Sequence, residues 1–121
     1  MKIKLIDQEF AICKLENLDQ VDLSRPHCFL ARTDEELSLV CDLKAVPEKT
    51  LECDRGWKAF RIEGTLDFFL VGILARVSLV LAEKGISIFA VSTFNTDYVL
   101  TKKEVFDQAV SALVENGYQL V

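Results

Sequence analysis

From Trp57 to Val121 the apolar residues change period in a fixed order, and few folds accept that order. Trp57-Lys58-Ala59-Phe60-Arg61-Ile62-Glu63 alternates large apolar and charged side chains, the pattern of a strand with one buried face, and Gly64 punctuates it. Ile73, Leu74, Val77, Val80 and Leu81 then recur at helical spacing, and Glu83-Lys84-Gly85 supplies a stop, so an amphipathic helix of about three turns is expected. Ile86 to Thr93 is β-branched and apolar, Asn95 and its neighbours form a turn, and Asp97 to Thr101 reads as the returning strand of a hairpin.

A second helix is expected to begin at Thr101-Lys102-Lys103-Glu104, which matches a capping box. It is to run with Val105, Phe106, Ala109, Val110 and Leu113 on one face, and to close at Asn116-Gly117. Tyr118-Gln119-Leu120-Val121 supplies a last strand. Strand, helix, strand, strand, helix, strand places two helices on one face of a mainly antiparallel sheet, the ferredoxin-like βαββαβ arrangement of an α+β protein.

The N-terminal half is strand-rich, with segments expected at Lys2 to Ile6, Glu9 to Leu15, Cys28 to Thr33 and Leu37 to Cys41, and no long helix. The run Phe29-Leu30-Ala31-Arg32-Thr33-Asp34-Glu35-Glu36-Leu37-Ser38-Leu39-Val40 has the same hairpin pattern as Phe89 to Leu100, about 60 positions later, the scale of one structural repeat. The expected organisation is therefore a reduced, strand-rich copy over residues 1–55 and a full copy over 56–121. Asp42 to Thr50 is a short helix or a linker between them, ended by Pro47.

Charge and composition narrow the function. A net charge of -5, without any Lys/Arg stripe, disfavours nucleic acid and anionic membranes as partners. The apolar stretch from Phe68 to Leu81 is broken by Gly72, Arg76 and Ser78 and falls short of the ~20 clean residues of a membrane span. The start of the chain lacks the pattern of a signal peptide, which leaves the cytoplasm as the expected location. Cys13, Cys28, Cys41 and Cys53 contain no CxxC pair, and His27 is the sole histidine, so buried apolar thiols are expected rather than disulfides or a metal site.

Trp57 to Asp67, Val71-Gly72-Ile73-Leu74-Ala75, and Gly85 to Leu100 together resemble the first strand, loop, helix start and second hairpin of small bacterial ACT-domain proteins. The same segments are similar to the ACT repeats of the eukaryotic cytosolic arginine sensor and, more distantly, to the regulatory domains of aspartate kinases. In the N-terminal half the resemblance is carried by the Thr33 to Cys41 hairpin alone. The resemblance implies an amino-acid-binding regulatory fold that pairs with a second ACT unit and works as a homo-oligomer. It also implies ligand contacts from Leu70, Val71, Gly72 and Ile73, with Thr93, Phe94 and Asp97 as the facing wall.

The chemistry of those residues is compatible with that implication and with plainer roles. Gly72, just before a helix, suits a carboxylate meeting free amides at the positive end of the dipole, or simply a tight turn. Asp97 suits an α-ammonium or a turn at the hairpin mouth, Thr93 suits a ligand or a local strand hydroxyl, and Asp67 suits an N-cap. Adjacent Phe68 and Phe69 suggest one aromatic turned towards an interface. Leu70 stands where the arginine sensor has glutamate, which argues for a smaller or less polar ligand side chain, although Glu63 is a second source of charge on the strand.

No nucleophile–base pair, GxSxG elbow or phosphate loop is present, so no enzyme activity, catalytic residue or cofactor is expected. The expected partners are an amino acid or similar small metabolite, a second copy of the chain and a regulated protein. The competing expectation is a ligand-free interaction module.

Overall fold

The computed structural model describes residues 1–63 and 71–121. Asp67, Phe68, Phe69 and Leu70, singled out above, lie outside the described residues. In chain order the elements are β1 (Lys2–Leu15), β2 (Phe29–Arg32), β3 (Leu37–Asp42), a 3-10 turn at Leu43–Ala45, β4 (Glu52–Ile62), α1 (Ile73–Glu83), β5 (Phe89–Ser92), β6 (Asp97–Lys102), α2 (Lys103–Glu115) and β7 (Gln119–Leu120). They form two units, Met1–Asp7 with Lys58–Val121, and Gln8–Trp57. The units part between Asp7 and Gln8 and again between Trp57 and Lys58, so Met1–Asp7 goes with the C-terminal stretch. A strand shared by two units cannot be expressed as a single cut in the chain.

In the first unit the strand order is β7-β1-β4-β6-β5. β7 pairs in parallel with β1 through Lys2↔Gln119 and Ile3↔Leu120, which places the chain's first strand between its last strand and β4. Ile3, Phe60 and Ile62 from the sheet meet Ile73, Val77 and Leu81 of α1 and Phe106, Ala109, Val110 and Leu113 of α2. The α1 residues recur every fourth position, one stripe of a 3.6-residue helix, and the stripe is what packs. Phe60 and Phe106 meet with ring centroids 6.4 Å apart in a tilted pair, and Lys58 Nζ lies 5.5 Å from the Phe106 centroid. Each such phenylalanine, buried to 3% exposure or less, contributes roughly 1.5–3 kcal/mol of burial free energy.

Both helices end in the same way. Ile86 N–H donates to Leu81 C=O and Gly85 N–H to Ala82 C=O after α1; Tyr118 N–H donates to Leu113 C=O and Gly117 N–H to Val114 C=O after α2. These paired hydrogen bonds make a Schellman cap, with glycine in the left-handed position at φ 71° and 93°. The cap also explains why β5 begins at Phe89 rather than at Ile86. Ile86 is buried against the same core as Leu81, as the residue after such a cap commonly is, and is not available to the ladder.

The capping box expected at Thr101 does not form. Thr101 is fully buried within β6, its hydroxyl donates to Lys102 C=O, and α2 starts at Lys103 with Lys102 as an N-cap whose side chain does not cap the helix. The strand continues through the position the box would need, and burial in the sheet outweighs the cap. The two N-terminal strands expected on either side of Asp7 are one continuous β1, and β4 begins at Glu52, well before the alternating pattern is visible.

In the second unit β3 pairs with β1 from Phe10↔Asp42 to Leu15↔Leu37, and β2 pairs with β3 from Phe29↔Val40 to Arg32↔Leu37. Ala11, Cys13, Leu15, Leu37, Leu39 and Cys41 make the core. The 3-10 turn comes directly after β3, with Lys44 N–H donating to Asp42 Oδ1 at 2.8 Å.

Candidate functional site

The end of β4 lies beside the mouth of the β5–β6 hairpin. Residues two apart on a strand share a face, so Arg61 and Glu63 lie together while Ile62 between them is fully buried in the core. Arg61 Nε donates to Glu63 Oε2 at 3.3 Å, and Arg61 Nη1 donates to the Tyr98 hydroxyl of β6, also at 3.3 Å. The hydrogen bond to Tyr98 raises the guanidinium's pKa, burial opposes this, and the bond to Glu63 adds to it. The side chains are 26% and 33% exposed, so this is an anchored pair with access to solvent.

The hairpin turn is held by its own threonines. Thr93 N–H donates to Thr96 C=O at 2.8 Å, and Thr93 Oγ1 donates to the same carbonyl at 2.9 Å. Thr96 is buried, and its Oγ1 donates to Ile62 C=O at 2.7 Å, which ties the turn to β4. These groups enclose a cavity of about 290 Å³ lined by Arg61, Ile62, Glu63, Thr93, Asn95, Thr96 and Tyr98.

Of the described residues expected to contact ligand, Thr93 lines this cavity. Val71 and Gly72 are exposed at the start of α1. Gly72 has φ 79°, a left-handed conformation that L side chains rarely adopt, and an added Cβ would meet only Arg76 Nε at 4.0 Å. Backbone conformation rather than crowding therefore calls for glycine there. Ile73 is buried in the core, Phe94 is 78% exposed at the hairpin tip, and Asp97 accepts a hydrogen bond from Ser92 Oγ at 2.5 Å. Leu70 lies outside the described residues.

Arg61, Asn95, Thr96 and Tyr98 are not among the residues that the sequence marks for a ligand. The visible signal is the i, i+2 placement of two opposite charges at the end of a strand just before a glycine. A second cavity, about 240 Å³, lies in the other unit and includes Glu16, Asp19 and Lys49 in its lining. Its Asn17 and Gln20 side chains are taken up by the backbone N–H groups of Asp19 and Lys49.

The cysteines are free thiols. Cys13 Sγ donates to Cys53 Sγ at 3.5 Å, and a hydrogen bond with Cys41 together with burial pushes the Cys13 thiol far above the ordinary range. Burial also raises Cys28 and Cys53. Among the described residues no group of three or more His, Cys, Asp or Glu is placed to hold a metal ion. His27 Nδ1 faces Gln8 Oε1 at 2.5 Å, and Gln8 Nε2 donates to Asp42 Oδ2 at 2.8 Å, a chain of polar contacts inside the second unit.

Two helices on an antiparallel sheet, with a small polar cavity at a strand end, define a small α+β domain with room for a small molecule. A model of the ACT domain matches residues 52–115, more than half of the chain, and the protein belongs to the ACT-domain family. ACT domains are in general regulatory domains that bind small molecules. A crystal structure of a protein from Agobacterium tumefaciens is similar, with 29% identity and a TM-score of 0.86 over 99% of this chain and 91% of that one. A Vibrio cholerae protein described as of unknown function, possibly in transport, is similar at 24% identity, with a TM-score of 0.72 over 94% and 88%.

The aspartate kinase of Clostridium acetobutylicum, described as an allosteric enzyme, shares the fold at 13% identity, with a TM-score of 0.65 over 89% of this chain and 32% of the kinase. No curated protein matches the sequence. Among the described residues no helix is long and apolar enough to cross a membrane.

Proposed function

We propose that this protein is a cytoplasmic sensor domain that binds an amino acid or a similar small metabolite and acts through an interface between paired ACT units, as a homo-oligomer or on a regulated partner protein. The observation that carries this reading is the ACT match over residues 52–115. The allosteric aspartate kinase that shares the fold supports a regulatory role. We further propose a tandem organisation, a reduced ACT-like copy preceding a full ferredoxin-like βαββαβ unit, supported by two hairpins of the same register. On this reading Val71, Gly72, Thr93, Phe94 and Asp97 lie near the ligand or its interface. Exposure supports this role for Val71, Gly72 and Phe94, and the cavity supports it for Thr93.

The test is a thermal-shift screen against the common amino acids and nucleobases. A ligand at 100 times its dissociation constant adds roughly 2.7 kcal/mol to stability. A ligand-free interaction module is the second reading, favoured by the exposure of Val71 at 80%, Phe94 at 78% and Leu79 at 61%. A stable dimer with no shift from any compound would select it.

A further inference from the structure

We propose that the Arg61–Glu63 pair is the head-group reader of this domain, taking the α-carboxylate and α-ammonium of a free amino acid in the cavity it lines. The inference rests on the sensor reading above, and it places recognition on β4 and Tyr98 rather than on Asp97.

The polar groups around the cavity differ in the hydrogen-bonding capacity they have left. Thr93 Oγ1 is committed to Thr96 C=O and Thr96 Oγ1 to Ile62 C=O, so the hydroxyls of the turn shape the cavity and have little left to give a ligand. Asp97 accepts from Ser92 at Oδ1 and is not among the residues that line the cavity. The guanidinium, by contrast, has five N–H donors, of which Nε and one on Nη1 are engaged, leaving three among the described residues. Glu63 accepts from Arg61 at Oε2, which leaves Oε1 as an acceptor.

Charge then selects the ligand. One cation and one anion, 3.3 Å apart, form a head with no net charge, and a ligand group that satisfies both must itself carry adjacent opposite charges. A carboxylate alone would leave Glu63 repelled, and an amine alone would leave Arg61 repelled. The zwitterionic backbone of an α-amino acid has the required pair on neighbouring atoms, and carboxylate recognition by a planar guanidinium fork is geometrically favourable.

Tyr98 holds the guanidinium before any ligand arrives, so little ordering remains to be done on binding. The cavity, about 290 Å³ and open to solvent, is close to the smallest of the roughly 300–1,000 Å³ typical of ligand clefts, which suits the head group of an amino acid.

Calorimetric titration of the whole chain with the common L-amino acids, and then with the N-acetyl and C-terminal amide forms of any that bind, tests this. Each blocking group is expected to weaken binding about tenfold or more, the scale of one lost charge-assisted hydrogen bond. Glu63→Gln should abolish the penalty of N-acetylation while leaving that of amidation, and Arg61→Gln should do the reverse. That crossed pattern is not produced by a residue with a purely structural role. Both positions are partly exposed, and the blocked ligands on the unmodified chain give a reading that needs no variant. Amino acids that bind with equal strength in free and blocked forms, or variants without the crossed pattern, overturn this inference and leave the sensor reading intact. Binding of no amino acid overturns this inference, and the sensor reading falls with it when the thermal-shift screen finds no other small metabolite that binds.

Discussion

The β2–β3 and β5–β6 hairpins have the same geometry and different surroundings. Phe29↔Val40, Leu30↔Leu39, Ala31↔Ser38 and Arg32↔Leu37 in one become Phe89↔Leu100, Ala90↔Val99, Val91↔Tyr98 and Ser92↔Asp97 in the other, each shifted by 60 positions. The turns match too, Thr33 N–H donating to Glu36 C=O at 2.9 Å and Thr93 N–H to Thr96 C=O at 2.8 Å. Beyond the second strand the two part. β3 leads into a single 3-10 turn and β6 into the 13-residue α2. Local turn chemistry and strand alternation specify a hairpin wherever they occur, whereas a helix needs a sustained apolar stripe, and Asp42 to Thr50 contains no such stripe and is closed by Pro47.

The cores diverge accordingly. Cys41 and Thr101 are matched, buried positions, but the unit with helices packs Phe60 of its sheet against Phe106 of α2, while the other buries Phe10 and packs Cys13, Leu39 and Cys41 together. Tyr98 is matched by Ser38, so the anchor that orients Arg61 has no twin in the first hairpin.

The largest effect that would test this contrast is at matched positions 46 and 106. Phe106→Ala removes a ring buried to 3% exposure and is expected to cost about 3–5 kcal/mol in urea unfolding, while Val46→Ala, at a partly buried position, should cost less than half of that. Equal costs would show that the two units do not differ in how much they depend on helix burial.

Next comes the turn. Thr96→Val strips the donor from Ile62 C=O and is expected to cost about 1–3 kcal/mol, whereas its counterpart Glu36→Ala, exposed, should change stability by less than about 0.5 kcal/mol. Gly85→Ala meets nothing within 4 Å but forces alanine to φ 71°, so a loss of about 1–2 kcal/mol with no change in fold is expected by circular dichroism and melting.

The smallest effect is on pH. The amide of Gln8, and after it the backbone N–H of Lys44, hold Asp42 below the ordinary carboxylate range. A carboxyl with its folded pKa lowered gives stability that is present above the unfolded value near 3.9 and is lost as pH falls through the folded one. Gln8→Ala should therefore move the NMR-observed midpoint of Asp42 up towards the ordinary value and weaken the acid dependence below about pH 4. The matched position in the other hairpin is Lys102, which has no carboxyl to respond. An unmoved Asp42 midpoint would show that Gln8 is not its partner in solution.

Much of the fold is legible in the sequence because it is local. The stripes Ile73-Val77-Leu81 and Phe106-Ala109-Val110-Leu113, the glycines that close both helices and the two hairpin turns each lie within a dozen residues and derive from period and backbone conformation alone. The first half of β4 is not legible because Glu52, Asp54 and Arg55 carry no apolar alternation; the strand exists there because its hydrogen bonds run to β1. The false capping box at Thr101 shows the converse, a sound local motif overruled by burial in the sheet.

The candidate site is harder to read than the fold. Gly72 and Asp97 carry residue types that chemistry makes suggestive, yet Asp97 is engaged by its neighbour Ser92. Arg61 and Glu63 look in sequence like the solvated face of a strand, and only the arrival of Tyr98 from β6 turns them into an anchored pair.

The pairing of β7 with β1 bears on how the molecule comes into being. Lys2 and Ile3 precede their partners Gln119 and Leu120 by 117 positions, so one edge of β1 waits, unpaired, until β7 has been made. The closing contact spans nearly the whole chain. Its formation carries the loop entropy of a non-local pairing, which makes β7 the late stitch that seals the N-terminal strand and the step at which slow folding or a mispaired edge would first show.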